Sequence, residues 1–401
     1  MVDAGEALRL ILDATPLLGK EKLHLHDALG RTLAEDVVAS ESIPPFDNSS
    51  MDGFAVRSAD LGEASGPKEV ILEIVGESSA GNTFEEQVHS GQVVRIMTGG
   101  KIPDGADTVV PIEHARVMNE DHAGFNEPAP AGRHVRRAGE DISKGETILR
   151  AGDVIGPSQL GILASLGYVN VRAYEQPLVK ILATGDELAE IDAELEDGQI
   201  RNSTSYALSG YVRQAGGIPS LVGIVPDKRK RIKKRIREAL ECDLLLITGG
   251  VSVGKYDFVK EILEGLGVEV IFWKVNIKPG KPLVFGRIRQ ALVFGLPGNP
   301  VSTGVTFLQF VRPALHKLLG RRVQPAFRLR ATLEHDVAKS DGKRHYLRGI
   351  AREVEGHLRV STTGSQSSGV MSSLSKGNCL IIVPEQSTGL KIGDQVDVEF
   401  L

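Results

Sequence analysis

Residues 243–259, DLLLITGGVSVGKYDFV, indicate how the central part of the chain folds. The apolar residues 244–247 predict a buried strand, and this strand runs directly into Gly249, Gly250 and Gly254. A helix is predicted to begin near Asp257. Glycines at a turn from a strand to a helix let the backbone approach a ligand closely, so the stretch predicts a binding loop as well as a strand.

Strand and helix patterns alternate on both sides of this stretch, from Pro177 to about Gly320. Apolar runs predict strands at residues 177–184, 219–225, 243–248 and 269–275. Patterns with helical spacing lie between them, at residues 205–216, 228–241 and 257–266. Residues 282–288 and 290–298 predict the two strands of a hairpin. A long helix is predicted from about Val301. Strands and helices that take turns predict βαβ units and a mainly parallel sheet.

The flanking regions have different patterns. Apolar spacing in residues 8–12 predicts a helix that ends before Pro16. Short β-rich runs separated by glycines extend from about residue 70 to residue 140. Residues 157–167 again have a helical pattern, and short alternating strands return between residues 327 and 401. The residues alone therefore predict two β-rich regions around a central α/β region.

Composition argues against several classes of protein. A chain of 401 residues is too long for one ordinary core, so we expect several domains. The net charge of −5 provides no overall positive field for nucleic acid. No apolar run approaches the roughly 20 residues that span a bilayer, and the N-terminus lacks a signal-peptide pattern. We therefore expect a cytoplasmic protein that binds neither nucleic acid nor membrane.

Residues 228–237 contain eight basic residues in ten, a pattern that by itself suggests nucleic acid. However, Ile232, Ile236 and Leu240 form an apolar stripe at helical spacing. Asp227 is placed to cap the same helix. We therefore interpret the stretch as the exposed outer face of a helix.

Three loops are predicted at the carboxyl edge of the sheet, where open parallel sheets bind ligands. They are TGDEL (184–188), TGGVSVGKYD (248–257) and LPGNPVS (296–302). Backbone N–H groups at helix starts, together with the hydroxyl of Ser252, favour an anion. Mg²⁺ prefers oxygen ligands and usually binds substrate phosphates as well. Carboxylate oxygens of this kind are present on Asp186, Glu187 and Asp257.

Three lysines occur within the stretch KVNIKPGKP, residues 274–282, at Lys274, Lys278 and Lys281. Pro279 and Gly280 bend the chain between the last two, so their ammonium groups are able to converge on one oxyanion. The residues thus predict a site for a phosphate-bearing ligand, with Mg²⁺ and a second small oxyanion. They do not name the ligand.

Eight ordered motifs resemble those of the molybdopterin molybdenumtransferase family, which includes the E domain of gephyrin. The motifs are PPFDNSSMDGFAV, RIMTGGKIPDGADTVV, GEDI, ILATGDEL, GQIRNSTSYAL, ITGGVSVGKYD, IKPGKP and GLPGNPVST. The motifs occur in the family's order, and the match as a whole extends from about residue 5 to the C-terminus. The resemblance implies insertion of molybdenum from molybdate into the dithiolene of adenylylated molybdopterin, with release of AMP and Mg²⁺ as cofactor.

The resemblance also implies an elongated homodimer with its site near the subunit contact. The predicted fold class is multidomain α/β plus β. It consists of a central three-layer α/β domain with a parallel sheet at 177–326, an inserted β domain at 46–140, a helical segment split between 1–45 and 141–176, and a C-terminal β domain at 327–401.

Functional residues of the family match individual positions of this chain. The positions that the resemblance implies for molybdopterin are Gly249, Gly250, Ser252, Gly254, Lys274, Pro297, Gly298, Asn299 and Pro300. The implied catalytic positions, of which the first three are expected from the partner subunit, are Asp52, Thr98, Asp141, Glu187, Asp227 and Asp257. The implied molybdate site comprises Lys278, Lys281, Ser302, Arg348 and Ser368. The motif QSSG at 366–369 departs from the usual QGS form, which leaves Ser367 and Ser368 as alternatives.

Two other functions stay open from the sequence. Gephyrin uses this fold as a scaffold, so a non-catalytic molybdopterin-binding protein is one alternative, against which the retained acids argue. A molybdopterin adenylyltransferase shares the α/β domain but lacks the two extra β-rich regions. The sequence also leaves open tungstate in place of molybdate, and a separate adenylyltransferase as a partner.

Overall fold

The computed structural model describes residues 1–64, 68–250, 259–322 and 326–401 of the chain. Three predicted site residues lie outside these ranges: Ser252, Gly254 and Asp257. Within the described ranges, no helix is both long enough and apolar enough to span a membrane.

The described residues form two compact units. The larger unit consists of Met1–Glu35, Ala151–Leu160 and Val169–Leu401. The smaller unit consists of Asp36–Arg150 and Gly161–Tyr168. The α/β and C-terminal regions thus belong to the larger unit, and the four-part boundaries given above stay a prediction.

A six-stranded sheet forms the centre of the larger unit. Its strands are, in spatial order, Ile218–Val225, Leu178–Thr184, Leu244–Thr248, Ala291–Leu296, Pro282–Ile288 and Glu269–Lys274. The first four strands are parallel, and the last two pair antiparallel. This order confirms the predicted mainly parallel sheet and the predicted hairpin.

Strand side chains alternate between two hydrophobic cores, because successive residues of a strand point to opposite faces. Ile181 and Leu246 belong to one core, whereas Leu182 and Leu245 belong to the other. The first core contains residues of the helices Ala4–Ala14, Ser203–Gln214, Pro300–Thr306 and Arg312–Leu318. The second contains residues of the helices Arg229–Ala239 and Val259–Glu264. Helices on both faces of the sheet confirm the three-layer architecture.

The helix predicted from about Val301 begins at Pro300. Pro300–Thr306 continues through the π-helical segment Phe307–Val311 into Arg312–Leu318. Proline suits the first helical position, because the N–H that it lacks has no partner within the helix there.

The basic stretch forms the helix Arg229–Ala239, in which Ile232 and Ile236 are buried and the basic side chains are mostly exposed. The outer-face interpretation is therefore confirmed. The predicted cap is wrong, since Lys228 occupies the N-cap position and makes no capping hydrogen bond. Asp227 lies one residue too early, and its backbone N–H donates to Oδ1 of Asp186 at 3.1 Å.

A mixed sheet closes on itself in the C-terminal part of the larger unit. Its order is Ile277–Lys278, Arg344–Val354, His357–Thr362, Arg328–Leu333, Gln395–Phe400 and Cys379–Val383, and the last strand also pairs with the second. We call this closed sheet the C-terminal barrel. The helix Ser372–Lys376 and the strand pair Val337–Ala338 with Gly389–Leu390 accompany it. Its first strand comes from the α/β region and pairs in parallel with Arg344 and His345.

Two short strand pairs complete the larger unit. They are Lys20–His24 with Asn170–Tyr174, and Leu188–Ala189 with Ile200–Arg201. A 3₁₀ helix, Leu25–Asp27, follows the first strand. The helix Pro157–Ser165 lies in the region with the predicted helical pattern.

Short strands dominate the smaller unit, as the sequence predicts. Its main sheet has the order Thr108–Pro111, Gly53–Val56, Gln92–Ile96, Val70–Ser78, His122–Phe125 and Ala115–Val117. Two further pairs are Asn48–Ser49 with Val135–Arg136, and Val37–Val38 with Thr147–Leu149. The 3₁₀ helices are Ser58–Leu61 and Ile112–His114. The predicted class, α/β plus β, is confirmed.

Candidate functional site

A pocket of about 750 Å³ opens at the carboxyl edge of the α/β sheet. Thr184 and Thr248, the last residues of two adjacent parallel strands, line it. This is the edge at which open parallel sheets bind ligands. Eleven of the predicted site residues line this pocket: Glu187, Gly249, Gly250, Lys278, Lys281, Pro297, Gly298, Asn299, Pro300, Ser302 and Ser368.

The turn at Gly249 and Gly250 is a tight backbone feature of this pocket. Both residues have positive φ angles, 84° and 62°. A Cβ atom on Gly249 would lie 2.4 Å from the carbonyl oxygen of Thr184, and one on Gly250 would lie 2.9 Å from Cγ2 of Val259. The N–H of Gly249 donates to the carbonyl of Leu296 at 3.2 Å. Only glycine therefore fits the first position without a shift of the neighbouring strand.

Two helices begin at the pocket wall. The helix Ser203–Gln214 is capped by Asn202, whose side chain accepts the N–H of Ser205 at 3.3 Å. The helix Pro300–Thr306 begins after Asn299. The N-terminal ends of helices carry free N–H groups and a partial positive charge, which favour an anion. The first helix start was not assigned to the site from the sequence, although Asn before Ser-Thr-Ser is a capping signal.

The charged side chains around the pocket are mostly cationic. Arg201, Lys278, Lys281 and Lys343 line it, against one carboxylate, that of Glu187, among the described lining residues. Neither Arg201 nor Lys343 is among the site residues predicted from the sequence. Four cations against one anion make the pocket suitable for an anionic ligand.

The carboxylate of Asp341 contacts two of these cations. Its Oδ2 lies 3.5 Å from Nζ of Lys278 and 3.3 Å from Nζ of Lys343, and its Oδ1 lies 2.7 Å from Nε2 of His345. Burial lowers the pKa of His345, although Asp341 opposes that shift. Burial also raises the pKa of Asp341, but the hydrogen bonds and charges of His345 and Lys343 outweigh it, so the pKa lies well below its usual range. Asp341 is therefore an ionised counter-charge.

Residues 365–368 form another wall of the pocket, which we call the serine loop. Nδ2 of Asn299 donates to Oγ of Ser368 at 2.9 Å, and Ser367 and Ser368 both line the pocket. Gln366 attaches the loop to the barrel, because its Oε1 accepts the backbone N–H of Arg348 at 2.9 Å. The loop thus connects the start of a helix of the α/β region with a barrel strand.

Arg348 lies behind the serine loop and is fully buried. Its Nε donates to Oγ of Ser373 at 3.0 Å, and its Nη2 donates to the carbonyl of Ser367 at 3.2 Å. Burial lowers the pKa of Arg348 to about 10, so the guanidinium remains charged at neutral pH. Nη1 has no hydrogen-bond partner among the described residues. Arg348 also lines a cavity of about 430 Å³ that shares Lys278, Pro279 and Gln366 with the pocket.

The predicted Mg²⁺ ligands are incompletely described. Glu187 is exposed and lines the pocket, and Oδ1 of Asp186 accepts the backbone N–H of Asp227. Asp257 lies outside the described residues. Among the residues that the structure describes, no three His, Cys, Asp or Glu side chains group together as a metal site. The Mg²⁺ site stays a prediction.

Lys274 is the one predicted site residue of the lysine stretch that does not line the pocket. Its Nζ lies 3.9 Å from the centre of the Trp273 ring, which is a cation–π contact. Its assignment to molybdopterin stays a prediction.

Three predicted site residues belong to the smaller unit. Oδ1 of Asp52 accepts both the backbone N–H and the hydroxyl of Thr98, each at 2.7 Å. The backbone N–H and then the hydroxyl of Thr98 lower the pKa of Asp52. Asp141 is exposed, and its backbone N–H donates to the carbonyl of Ile43 at 3.1 Å. Asp52 and Thr98 thus form one motif, whereas Asp141 lies in a separate turn.

Comparison with known proteins gives three matches along the chain. The MoeA N-terminal region (domain I and II) matches residues 2–167, and the MoeA C-terminal region (domain IV) matches residues 330–401. Between them, a probable molybdopterin binding domain matches residues 180–317. The pocket described above thus lies largely within the part that matches the molybdopterin binding domain.

Relatives match over the whole chain. The molybdopterin molybdenumtransferase of Haemophilus influenzae is 38% identical over 405 residues, which cover 100% of this chain and 98% of the relative. That of Bacillus subtilis is 35% identical over 401 residues, which cover 99% and 93%. The crystal structure of the molybdopterin biosynthesis MoeA protein of Pyrococcus horikoshii OT3 has a TM-score of 0.85 at 33% identity and covers 100% of both chains. The resemblance is confirmed, and the chain belongs to the molybdopterin molybdenumtransferase family, transferases of molybdenum cofactor biosynthesis.

Proposed function

We propose that the chain inserts molybdenum from molybdate into the dithiolene of adenylylated molybdopterin and releases AMP in a Mg²⁺-dependent step. The observation that carries this proposal is the pocket in which a glycine turn, two helix starts and four cationic side chains meet. Such a pocket suits a ligand that carries phosphate and that reacts with an oxyanion. Membership of the molybdenumtransferase family supports the choice of that ligand.

The proposed phosphate side is the glycine turn together with the two helix starts. Gly249 and Gly250 line the pocket and carry no side chain, so a ligand is able to approach their backbone closely. The positive ends of the helix dipoles favour phosphate oxygens at this place. The pocket is also lined by Pro297, Gly298, Asn299 and Pro300, which lead into the second of these helices beside the turn. We also propose three further residues for molybdopterin binding, on the resemblance alone. They are Ser252, Gly254 and Lys274.

The proposed oxyanion side lies between Lys278, Lys281 and the serine loop. Molybdate is a tetrahedral dianion, so ammonium, guanidinium and hydroxyl donors bind it through its oxygens. Nη1 of Arg348 supports this assignment, because a buried guanidinium nitrogen without a partner favours an anion nearby. Hydroxyl donors on the pocket wall are Ser302 and Ser368.

We propose that Asp186, Glu187 and Asp257 hold Mg²⁺ together with phosphate oxygens of the substrate. The donor set fits, because Mg²⁺ prefers carboxylate and phosphate oxygens. Mg²⁺ held there would supply Lewis-acid polarisation of the phosphate–AMP linkage. The resemblance implies a catalytic role for Asp227 as well, and its backbone N–H donates to one oxygen of Asp186.

We also propose that Asp52, Thr98 and Asp141 complete the site from the partner subunit of a homodimer. The resemblance supports this assignment. The low pKa of Asp52 supports an ionised carboxylate at neutral pH. Such a carboxylate is able to accept a proton or to bind a cation.

The test incubates the full chain with adenylylated molybdopterin, Mg²⁺ and molybdate, and follows AMP release and cofactor formation. We expect both to rise with added molybdate. Glu187→Gln is expected to reduce both by at least about tenfold, because it removes a charged carboxylate from the pocket. Glu194→Gln is the matched control, since Glu194 belongs to the same acidic stretch, is exposed and does not line the pocket.

Three outcomes would change the proposal. Tight binding of the adenylylated pterin without AMP release would indicate a non-catalytic scaffold. Activity with tungstate and not with molybdate would indicate a tungstate-using enzyme. Full activity of Glu187→Gln would remove this acid from the mechanism.

A further inference from the structure

Two lysines of the pocket share one carboxylate that the family motifs do not include. Oδ2 of Asp341 lies 3.3 Å from Nζ of Lys343 and 3.5 Å from Nζ of Lys278. Both lysines line the pocket, whereas Asp341 lines an adjoining cavity of about 620 Å³ that also contains Lys278. Asp341 is therefore a negative charge directly behind the cationic wall.

The carboxylate is held more firmly than the ammonium group of Lys278. Oδ1 of Asp341 lies 2.7 Å from Nε2 of the buried His345 and accepts the backbone N–H of Lys343 at 3.3 Å. The side chain of Asp341 is 24% exposed, and that of Lys278 is 60% exposed. The ammonium group is thus free to turn towards a ligand while the carboxylate stays in place.

We propose that Asp341 is a positioning residue that sets the affinity for the oxyanion substrate. Its carboxylate holds Lys278 and Lys343 at the pocket wall, and the oxyanion displaces it from these ammonium groups on binding. Lys343 thereby becomes a further cation for the oxyanion. This inference rests on the proposed function, because it takes Lys278 as an oxyanion ligand.

The direction of the effect follows from the charges. The carboxylate and a dianion compete for the same two ammonium groups, and they repel each other at short distance. The side chain of Lys278 is 60% exposed, and an ion pair of such an exposed lysine contributes little to stability, so the exchange of its partner costs little. The charge of Asp341 therefore weakens oxyanion binding and speeds its release.

The test compares Asp341→Asn with the wild type in the full chain. Equilibrium dialysis against molybdate gives the dissociation constant, and the insertion assay gives KM for molybdate separately from kcat. We expect both the dissociation constant and KM to fall about tenfold, the effect of removing one charge close to a dianion. A purely structural role of Asp341 would instead weaken binding or lower kcat alone.

Two further variants make the result specific. Asp397→Asn is the control, because Asp397 pairs with Arg330 at 3.1 Å in the barrel and does not line the pocket. It is expected to leave molybdate binding unchanged. Lys278→Gln is expected to weaken binding and to reduce the tightening that Asp341→Asn produces, because one of the two contested ammonium groups is then absent.

The outcomes separate this inference from the proposed function. If Lys278→Gln weakens molybdate binding but Asp341→Asn does not tighten it, the inference is overturned and the proposed function stands. If Lys278→Gln leaves binding unchanged, the oxyanion side of the proposed function is overturned as well. Should Asp341→Asn unfold, Asp341→Ser is measured in the same way, since it also removes the charge.

Discussion

The side-chain amide of Asn299 donates a hydrogen bond of 2.9 Å to the hydroxyl of Ser368. Asn299 precedes a helix of the α/β region, whereas Ser368 follows a strand of the C-terminal barrel. The N–H of Val301 also donates to the carbonyl of Ser368, at 3.3 Å. The sequence left Ser367 and Ser368 equivalent, and these bonds distinguish them, because only the hydroxyl of Ser368 has a partner across the two regions among the described residues.

Ser368→Ala is expected to raise KM for molybdate more than Ser367→Ala does. The first change removes the acceptor of Asn299 and a hydroxyl on the pocket wall, at a cost of about 1 kcal/mol in unfolding free energy. The second keeps the carbonyl of Ser367 that accepts from Arg348. Kinetics with varied molybdate and urea unfolding of both variants check this. Equal effects on KM would contradict it.

Gly249→Ala and Gly298→Ala are expected to differ sharply, although both glycines line the pocket. Gly249 has a φ of 84°, and a Cβ atom there would lie 2.4 Å from the carbonyl oxygen of Thr184, so we expect a loss of about 2 kcal/mol or more. The nearest atom to a Cβ on Gly298 lies at 3.8 Å, an ordinary contact. Thermal unfolding measures the difference. A wild-type melting temperature for Gly249→Ala would refute the argument.

His316 is expected to make the chain sensitive to acid. Burial, and then Arg321 and Arg312, lower the pKa of His316 to about 4. The unfolded chain binds a proton at this residue near pH 6.5, whereas the folded chain does so only near pH 4. The stability contributed by the neutral form is thus complete above pH 6.5 and is lost as pH falls towards 4, by up to about 3 kcal/mol.

Urea unfolding of the wild type and of His316→Gln between pH 4 and pH 7.5 checks this prediction. Glutamine does not titrate, so the difference between the two proteins isolates the histidine from all other groups. We expect the wild type to lose more stability than the variant across this range. Parallel pH curves for the two proteins would show that His316 is not responsible.

Thr98→Val is expected to move the acidic limb of the pH–activity profile to higher pH. The change removes the hydroxyl that donates to Asp52 at 2.7 Å, and this hydroxyl helps to lower the pKa of Asp52. Without it the pKa rises, so the ionised form is lost at a higher pH than in the wild type. Thr98→Ser keeps the hydroxyl and serves as control. Coincident profiles for Thr98→Val and the wild type would exclude a role for the ionised carboxylate.

Local patterns made the α/β region predictable from sequence. The residues of Leu244–Thr248 are all buried, as their apolar run predicts, because the strand is covered on both faces. Pro300 predicted the start of a helix, and the glycine turn predicted the end of a strand. Both residue types restrict or widen the backbone conformation locally, so their effect is visible in a few residues of sequence. The same reasoning gave the wrong residue at Asp227, because the pattern does not locate a helix cap to the exact residue. The N-cap position is occupied by Lys228.

Long-range pairing limited the prediction of the site. Lys343 and Asp341 lie more than sixty positions from Lys278 in the sequence, and no periodic pattern connects them. Their proximity depends on the pairing of Ile277–Lys278 with Arg344 and His345, which joins two regions of the chain. Arg201 is different, because it directly precedes a capping Asn that could have been assigned to the pocket.

The pairing of the strand Ile277–Lys278 bears on which region of the chain determines the preference for one oxyanion over another. The chain of the α/β region supplies this strand, but its neighbour is a strand of the C-terminal barrel, so the barrel fixes the backbone that carries Lys278. The glycine turn instead bonds to the α/β region, where the N–H of Gly249 donates to the carbonyl of Leu296 and the carbonyl of Gly250 accepts the N–H of Val259. A chimera that takes its barrel from a relative is therefore expected to acquire that relative's discrimination between oxyanions while it keeps its own affinity for the pterin.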